Sequence, residues 1–263
     1  MMQEGLTFKL FVTGHSEQDA LHLMFKSLSF NGPFNFIKGQ RIVYLPKSPK
    51  TKQKRTTNES KSQKVTQTSQ ILAPNDEFIA LRVRGELQAA QNILVIIIDD
   101  LEYDRKDKAT ELFSSYRNAI ETVVPDIQMR RRVSIHFLVM MLEAYYFADV
   151  QAINKALGTN IPRDYAGDVE SIRNPYSEIK QIFRNFDKRE DGAKIIPRLN
   201  IEHILSNPKT CASLRTLFAW CVEAILDFYP EFQNEFPNYH LEDGIQYAVT
   251  NGQLSILRRN SYE

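Results

Sequence analysis

Between Thr7 and Val12 the chain crowds apolar and aromatic residues into TFKLFV. After Gly14 the spacing changes, so that Ala20, Leu21, Met24, Phe25 and Leu28 recur as they would on one face of a helix. A strand, a tight turn and a helix are predicted there, with a second strand at RIVYL inside Phe34 to Leu45. Helical spacing returns from Asn75 or Asp76 and leads to an unbroken aliphatic run, Ile93 to Ile98. A strand without alternation is one covered on both faces, which places this run centrally in a parallel or mixed sheet. Leu112, Phe113, Tyr116, Ile120 and Val123 then form a helical stripe, and Val133 to Leu138 reads as a further strand. Strands alternating with helices indicate an α/β layer structure. Beyond Met140 the pattern is helical, broken by turns at Gly158, Asn174-Pro175 and Asn207-Pro208. The expected organisation is an α/β core over residues 1–140, containing a flexible basic loop at 46–70, with a helical region over 141–263 packed on it.

Composition narrows this picture. With 263 residues, 43% of them hydrophobic, the chain can bury one substantial core. A net charge of +1 excludes a bulk attraction to nucleic acid or membrane and leaves local patches. Two patches stand out: the tract from Pro46 to Gln70, where Lys50, Lys52, Lys54 and Arg55 are candidates for phosphate contacts, and MRRRV, with Arg130, Arg131 and Arg132. Each reads equally as a solvated loop or tether. The spacing of Cys211 and Cys221 turns them to opposite faces of a helix, against a disulfide and for a reducing, cytoplasmic setting. No run of apolar residues is long enough to span a bilayer, and MMQEGLTFKLFVTG lacks the features of a secretory leader, so a soluble, non-exported protein without a membrane partner is expected.

Candidate chemistry gathers where strands end, because ligand sites in open α/β sheets lie at the carboxyl ends of strands. VTGHSEQDA brings His15, Ser16 and Glu17 to that edge. NILVIIIDDLEYDRKD brings Asp99, Asp100, Glu102, Asp104 and Asp107, and MMLEAYYFAD brings Glu143. Convergent carboxylates suit Mg²⁺ or Mn²⁺, which activate water and offset charge on phosphate. Capping competes with this reading: Ser16 to Asp19 fits a capping box, Asp104 or Asp107 fits the start of the next helix, and Asp149 fits the one after. Asp99 and Asp100, adjacent at a buried strand end, repel each other unless a cation relieves them. Glu143 lies among apolar residues and needs a salt bridge, a tyrosine or a metal. His136 reads as a core or edge residue, and His203 and His240 show no zinc-ligand spacing.

LFVTGHSEQDALHLMFKSL, VIIIDDLEYDRKDKA, SIHFLVMMLEAYYFADVQAINKALG, GDVESIRNPYSEIK and TCASLRTLFAWCVEAI together resemble the DUF4276 family of prokaryotic proteins. The resemblance implies a Toprim-like fold, an AAA or ABC-type ATPase partner and a place in anti-phage defence. A Toprim site holds Mg²⁺ for phosphodiester chemistry with a Glu in the turn after the first strand and an Asp-x-Asp pair after a later one. Carried onto this chain, Glu17 matches the second acid of the turn, Thr13 stands where the first Glu is expected, and Asp100 and Glu102 stand for the pair, with Asp99 a further candidate. Glu17 or Glu143 then substitutes for the missing acid, or the member binds metal weakly, or it is inactive. Two functions follow: a nuclease in which Asp99, Asp100 and Glu102 hold metal and Glu17 and Glu143 complete the site, or a non-catalytic adaptor that uses the same fold to bind a partner.

Overall fold

Leu6–Val12 (β1), Phe34–Arg41 (β2), Ile93–Leu101 (β3) and Val133–Val139 (β4) form one sheet in the order β2-β1-β3-β4, and every neighbouring pair is parallel. The structure is a computed structural model that describes residues 5–29, 32–42 and 74–236. The basic tract with Lys50, Lys52, Lys54 and Arg55 lies outside the described residues, as do His240 and positions 43–45 of the expected second strand. The observed β2 begins earlier than RIVYL. Phe36 stacks between Phe8 and Phe25 at 4.3 and 4.4 Å, and this aromatic face, with Phe34 buried behind it, sets the register that pairs Leu6 with Phe34.

Period-two alternation divides the sheet's side chains between two layers. Val95 and Ile97, with Phe11, Val133 and Ile135, pack under Pro74–Ala89 (α3) and Ala109–Val123 (α4). Leu94, Ile96 and Ile98, with Leu6, Phe8 and Leu10, face the other layer. That layer begins at the turn after β1. The helix expected there is split into His15–Ala20 (α1), a 3₁₀ turn Leu21–Phe25 and Lys26–Ser29, which follows as a single turn; this tightening brings Leu21, Met24, Phe25 and Leu28 all into the core. The layer continues with Leu142–Tyr146, Val150–Leu157, Pro175–Ile182, Glu190–Ile195, Ile201–Ser206 and Ala212–Phe228. One apolar cluster runs from Leu6 to Phe236, so the helical residues beyond 141 share a core with the sheet. Trp220 meets the rings of Phe8 and His136 at its heart, and burial pushes the His136 imidazole down to about 3, as befits a core histidine. Cys211 and Cys221 are both free and buried.

Expected turns occur at Gly158, in the left-handed conformation that ends a helix, and at Asn174, whose side chain accepts from the Ser177 N–H. Several expected caps are replaced by other partners. Gly14, not Ser16, precedes α1 and caps it without a side chain, and no side chain caps α4. Asp149 instead accepts from the Asn200 N–H at 2.8 Å, joining two helices of the second layer.

Arg130, Arg131 and Arg132 lie before β4, at the amino end of the sheet. The Arg132 guanidinium donates to the carbonyls of Leu87, Ala90, Gln91 and Ile93 at 2.8–3.2 Å, closing the exit of α3 and the entry of β3. Arg130 does the same for Val124 and Pro125 beyond α4. Arg132→Ala removes a charged donor from carbonyls that lose solvent, and unfolding in urea should show a stability loss of about 1.5–3 kcal/mol; an unchanged midpoint would contradict this capping role.

Candidate functional site

The chain runs from β1 to β2 on one side, then returns to place β3 on the other side of β1, so the topological switch lies between β1 and β3. In such sheets the crevice for ligands opens at the carboxyl ends of those two strands. Beyond the regular ladder the Asp100 backbone N–H donates to Thr13 Oγ1 at 3.3 Å, tying the two strand ends together. Thr13, in the place of an expected acid, thus fixes the mouth of the crevice.

Adjacent Asp99 and Asp100 leave β3 on opposite faces. Asp99 is buried on the α4 side, where Oδ2 accepts from Arg105 Nη2 at 2.8 Å and from the Tyr116 hydroxyl at 3.0 Å. Arg105 also donates to the Asp100 carbonyl at 3.0 Å, so it latches the loop that leaves the strand. The repulsion expected between the two acids is relieved on the Asp99 side by an arginine. Asp100 points into the other layer, toward Glu17 and Glu143.

Glu17 is placed by an extended turn at Gly14, Glu143 by unusual backbone. Glu17 is buried at the start of α1, its carboxylate folded back over Gly14 so closely that a Cβ there would lie 1.7 Å from Oε2. Glu143 follows Met140 and Met141, both non-glycine residues with positive φ, of 61° and 71°. Such consecutive left-handed residues are costly, and strain of this kind concentrates at functional sites. The kink turns Glu143 fully inward. A salt bridge to arginine or a tyrosine hydrogen bond was expected of it, but its partner is Lys188, with Nζ 3.1 Å from Oε1. The ammonium thus occupies Oε1, and Oε2 is left buried without a hydrogen-bond partner.

Lys188 is held by its own loop. Asp187 Oδ1 accepts from the Arg189 and Glu190 N–H groups, while Asp191 accepts from the Asp187 N–H, a reciprocal cap at the start of Glu190–Ile195. Ser16 Oγ donates to the Lys188 carbonyl at 3.3 Å, and Asp19 pairs with Arg189 at 2.6 Å. Ser16 and Asp19, which fit a capping box on spacing, instead clamp this loop to α1.

Three carboxylates and one ammonium therefore share a poorly solvated space. Burial, followed by the charges of Glu17 and Glu143, pushes Asp100 well above the ordinary aspartate range, with Lys188 pulling the other way. Burial also raises Glu17, opposed by its own backbone N–H and reinforced by Glu143. Glu17 and Asp100 lie close enough to interact directly. Burial lowers Lys188, but the Glu143, Glu17 and Asp100 charges outweigh it and leave the ammonium above its ordinary value. The buried Tyr146 hydroxyl completes the cluster without a hydrogen-bond partner, and burial with the same three carboxylates pushes it well up.

The crevice is a cavity of about 540 Å³, lined in part by Thr13, His15, Glu17, Asp100 and Lys188. Glu102 stands exposed at its rim. The structure thus brings together Glu17, Asp100 and Glu143, keeps Glu102 at the mouth and sends Asp99 to the opposite face. Arg130, Arg131 and Arg132 lie at the far end of the strands, roughly 20 Å away by the rise of a strand. Spacing carried no signal for Lys188 or Tyr146. The local signal, DKRED with acids at capping distance around a lysine, is that of a fixed turn and does not show where the turn docks.

Among the described residues, no three His, Cys, Asp or Glu side chains are gathered as a ready ligand cage. The donor set nevertheless fits a hard cation. Asp100 Oδ1 and Glu143 Oε2 are buried without partners, and Mg²⁺ takes one or two carboxylates together with water and substrate phosphate rather than an all-protein cage. No helix among the described residues is long and apolar enough to cross a membrane.

A family model described as a domain of unknown function (DUF4276) matches residues 31–220, a span that holds Asp100, Glu143 and Lys188 and starts after Glu17. No curated protein and no solved structure matches the chain.

Without added metal, this cluster should impose a measurable pH dependence. The folded pKa values of Asp100 and Glu17 lie above the ordinary 3.8 and 4.5, so the folded state binds protons more tightly than the unfolded one. The stability they contribute is full below the ordinary values and is lost as pH rises through the raised ones. Asp100→Asn removes much of this loss, and in EDTA it should be more stable than the parent by roughly 1–3 kcal/mol at pH 8. That advantage should shrink as pH falls toward 4.5. A difference between the two urea midpoints that stays constant with pH would refute the coupling.

Proposed function

We propose that this chain, which belongs to the DUF4276 family, acts on nucleic acid as a Toprim-like, divalent-cation-dependent phosphodiesterase. The observation that carries the reading is the convergence of Glu17, Asp100 and Glu143 at the carboxyl ends of β1, β3 and β4, with buried carboxylate oxygens left unpartnered. Asp100 and Glu143 would hold Mg²⁺ or Mn²⁺, with Glu102 at the rim able to reach an ion's water. The ion would supply charge neutralisation on the phosphate and a more acidic water.

The chain's own residues supply the rest. Lys188 places an ammonium beside Glu143 and at the cavity wall, where it offsets charge gathering on a phosphoryl oxygen. Glu17, its carboxyl held protonated to higher pH than usual, is suited to hand a proton to the departing oxygen. Thr13 and Arg105 keep the main chain of Asp100 fixed.

A second reading has its own observation. Thr13 replaces an acid, and Lys188 already neutralises Glu143, as expected of a fold retained as an adaptor for an AAA or ABC-type ATPase. Cleavage separates the two readings. With Mg²⁺ or Mn²⁺ the purified chain should cut DNA or RNA. Asp100→Asn and Glu143→Gln should each lower the rate by at least the roughly 10–100-fold that loss of a mere outer partner of a metal ligand costs. Absence of cutting, or rates unchanged in both variants, would leave the adaptor reading.

A further inference from the structure

Beside the carboxylates lies a second cavity of about 680 Å³ that shares Glu102 and Lys188 with the crevice. Its walls are aromatic rings topped by cations. On the β3 side Tyr103 is 56% exposed, unusual for a large ring, and Arg173 Cζ lies 4.5 Å from its centroid. On the helical side the Tyr176 ring carries Lys180 Nζ at 4.8 Å and Lys188 Nζ at 5.8 Å, and its back rests on Phe186. Met140 and Met141, the strained pair, form part of the lining. The acids Glu102 and Asp104 line the same cavity, so negative charge there comes from the loop after β3, whereas the cations come from Arg173 and from Lys188.

We infer that this groove binds single-stranded nucleic acid, stacking a base on Tyr103 and passing the adjoining phosphate to Lys188 at the carboxylate site. The inference deepens the phosphodiesterase reading and rests on it for the direction in which the strand runs. Its chemistry is that of strand-binding grooves, where aromatic faces accept any base and flanking Arg or Lys side chains track the backbone. Bases paired in a duplex do not offer their faces to side chains, so the groove selects unpaired strands. The cavity is of a size that holds a nucleotide-sized ligand. An exposed ring held in place by a guanidinium keeps surface available for stacking without needing the ring to be immobilised first.

The test is binding in EDTA, where no cutting intervenes, of fluorescein-labelled dT12 and rU12 and of a 12-base-pair duplex, followed by anisotropy. The parent chain should bind at least one strand more tightly than the duplex; comparison of dT12 with rU12 shows which sugar is preferred. Tyr103→Ala should weaken strand binding on the order of tenfold. Tyr103→Phe, which keeps the stacking face, should bind like the parent, and since Tyr103 is exposed both variants should fold. Duplex bound as tightly as strand, no strand binding, or a Tyr103→Ala chain that binds like the parent would each overturn the groove. Cutting that persists in Mn²⁺ while strand binding fails would sink the groove alone. Tyr103-dependent strand binding without cutting in any metal would sink the phosphodiesterase and leave the groove standing.

Discussion

A strand points consecutive side chains to opposite faces, and β3 carries that alternation beyond its apolar run into two carboxylates. Everything at the candidate site follows from this geometry. Asp99 is delivered to the α4 layer, where an arginine and a tyrosine satisfy one of its oxygens. Asp100 is delivered to the layer that already holds Glu17 and Glu143. A shift of one residue in the pairing of β3 would exchange the two, pairing Asp100 with the latch and leaving Asp99 in the crevice. Register therefore decides which acid is structural. The paired positions Val12 with Ile98 and Asp100 with Leu138 show that neighbouring strands on both sides hold it.

The second layer completes the site from a distance in sequence. Lys188 reaches Glu143 from a loop tied to α1 by Ser16 and Asp19, so the turn after β1, the kink after β4 and the 187–189 loop meet at one point. Buried charges of one sign are costly, and one ammonium against three carboxylates offsets only part of that cost. Uptake of a proton, which the raised pKa values of Glu17 and Asp100 favour, offsets more. The same imbalance gives a divalent cation something to gain by entering, since it would replace both the proton and part of the lysine's work.

How much of this could be read from the chain itself depends on the range of the interaction. Periodicity exposed β1, β3, β4 and the flanking helices because side-chain alternation is a local consequence of backbone geometry. The crevice could be placed because strand ends and topology put loops there, and Glu17, Asp100 and Glu143 all lie on such loops or just beyond them. What could not be read was set by tertiary packing. Phe36 between two other phenylalanines starts β2 at Phe34, ahead of RIVYL, whose last three positions lie outside the described residues. Asp149, Ser16 and Asp19 look like caps to a local rule, yet long-range partners claim them. The arginines of MRRRV look like a phosphate patch, yet two of them are occupied by main-chain carbonyls.

Thr13 shows how one substitution can change what a site needs. An acid at that position would add a fourth carboxylate beside Asp100, in surroundings where burial already raises the pKa of two. Threonine accepts the Asp100 N–H instead and contributes no charge. The site then keeps its acids where burial is deepest, on Glu17 and Glu143, and draws its positive charge from Lys188, which also faces the aromatic groove. On the proposed reading, a phosphate arriving along that groove meets the ammonium first. As the phosphate draws Lys188 away from Glu143, the carboxylate loses its partner and its attraction for a cation rises. Substrate and metal would then favour each other's binding through a single lysine, without any wider movement of the fold.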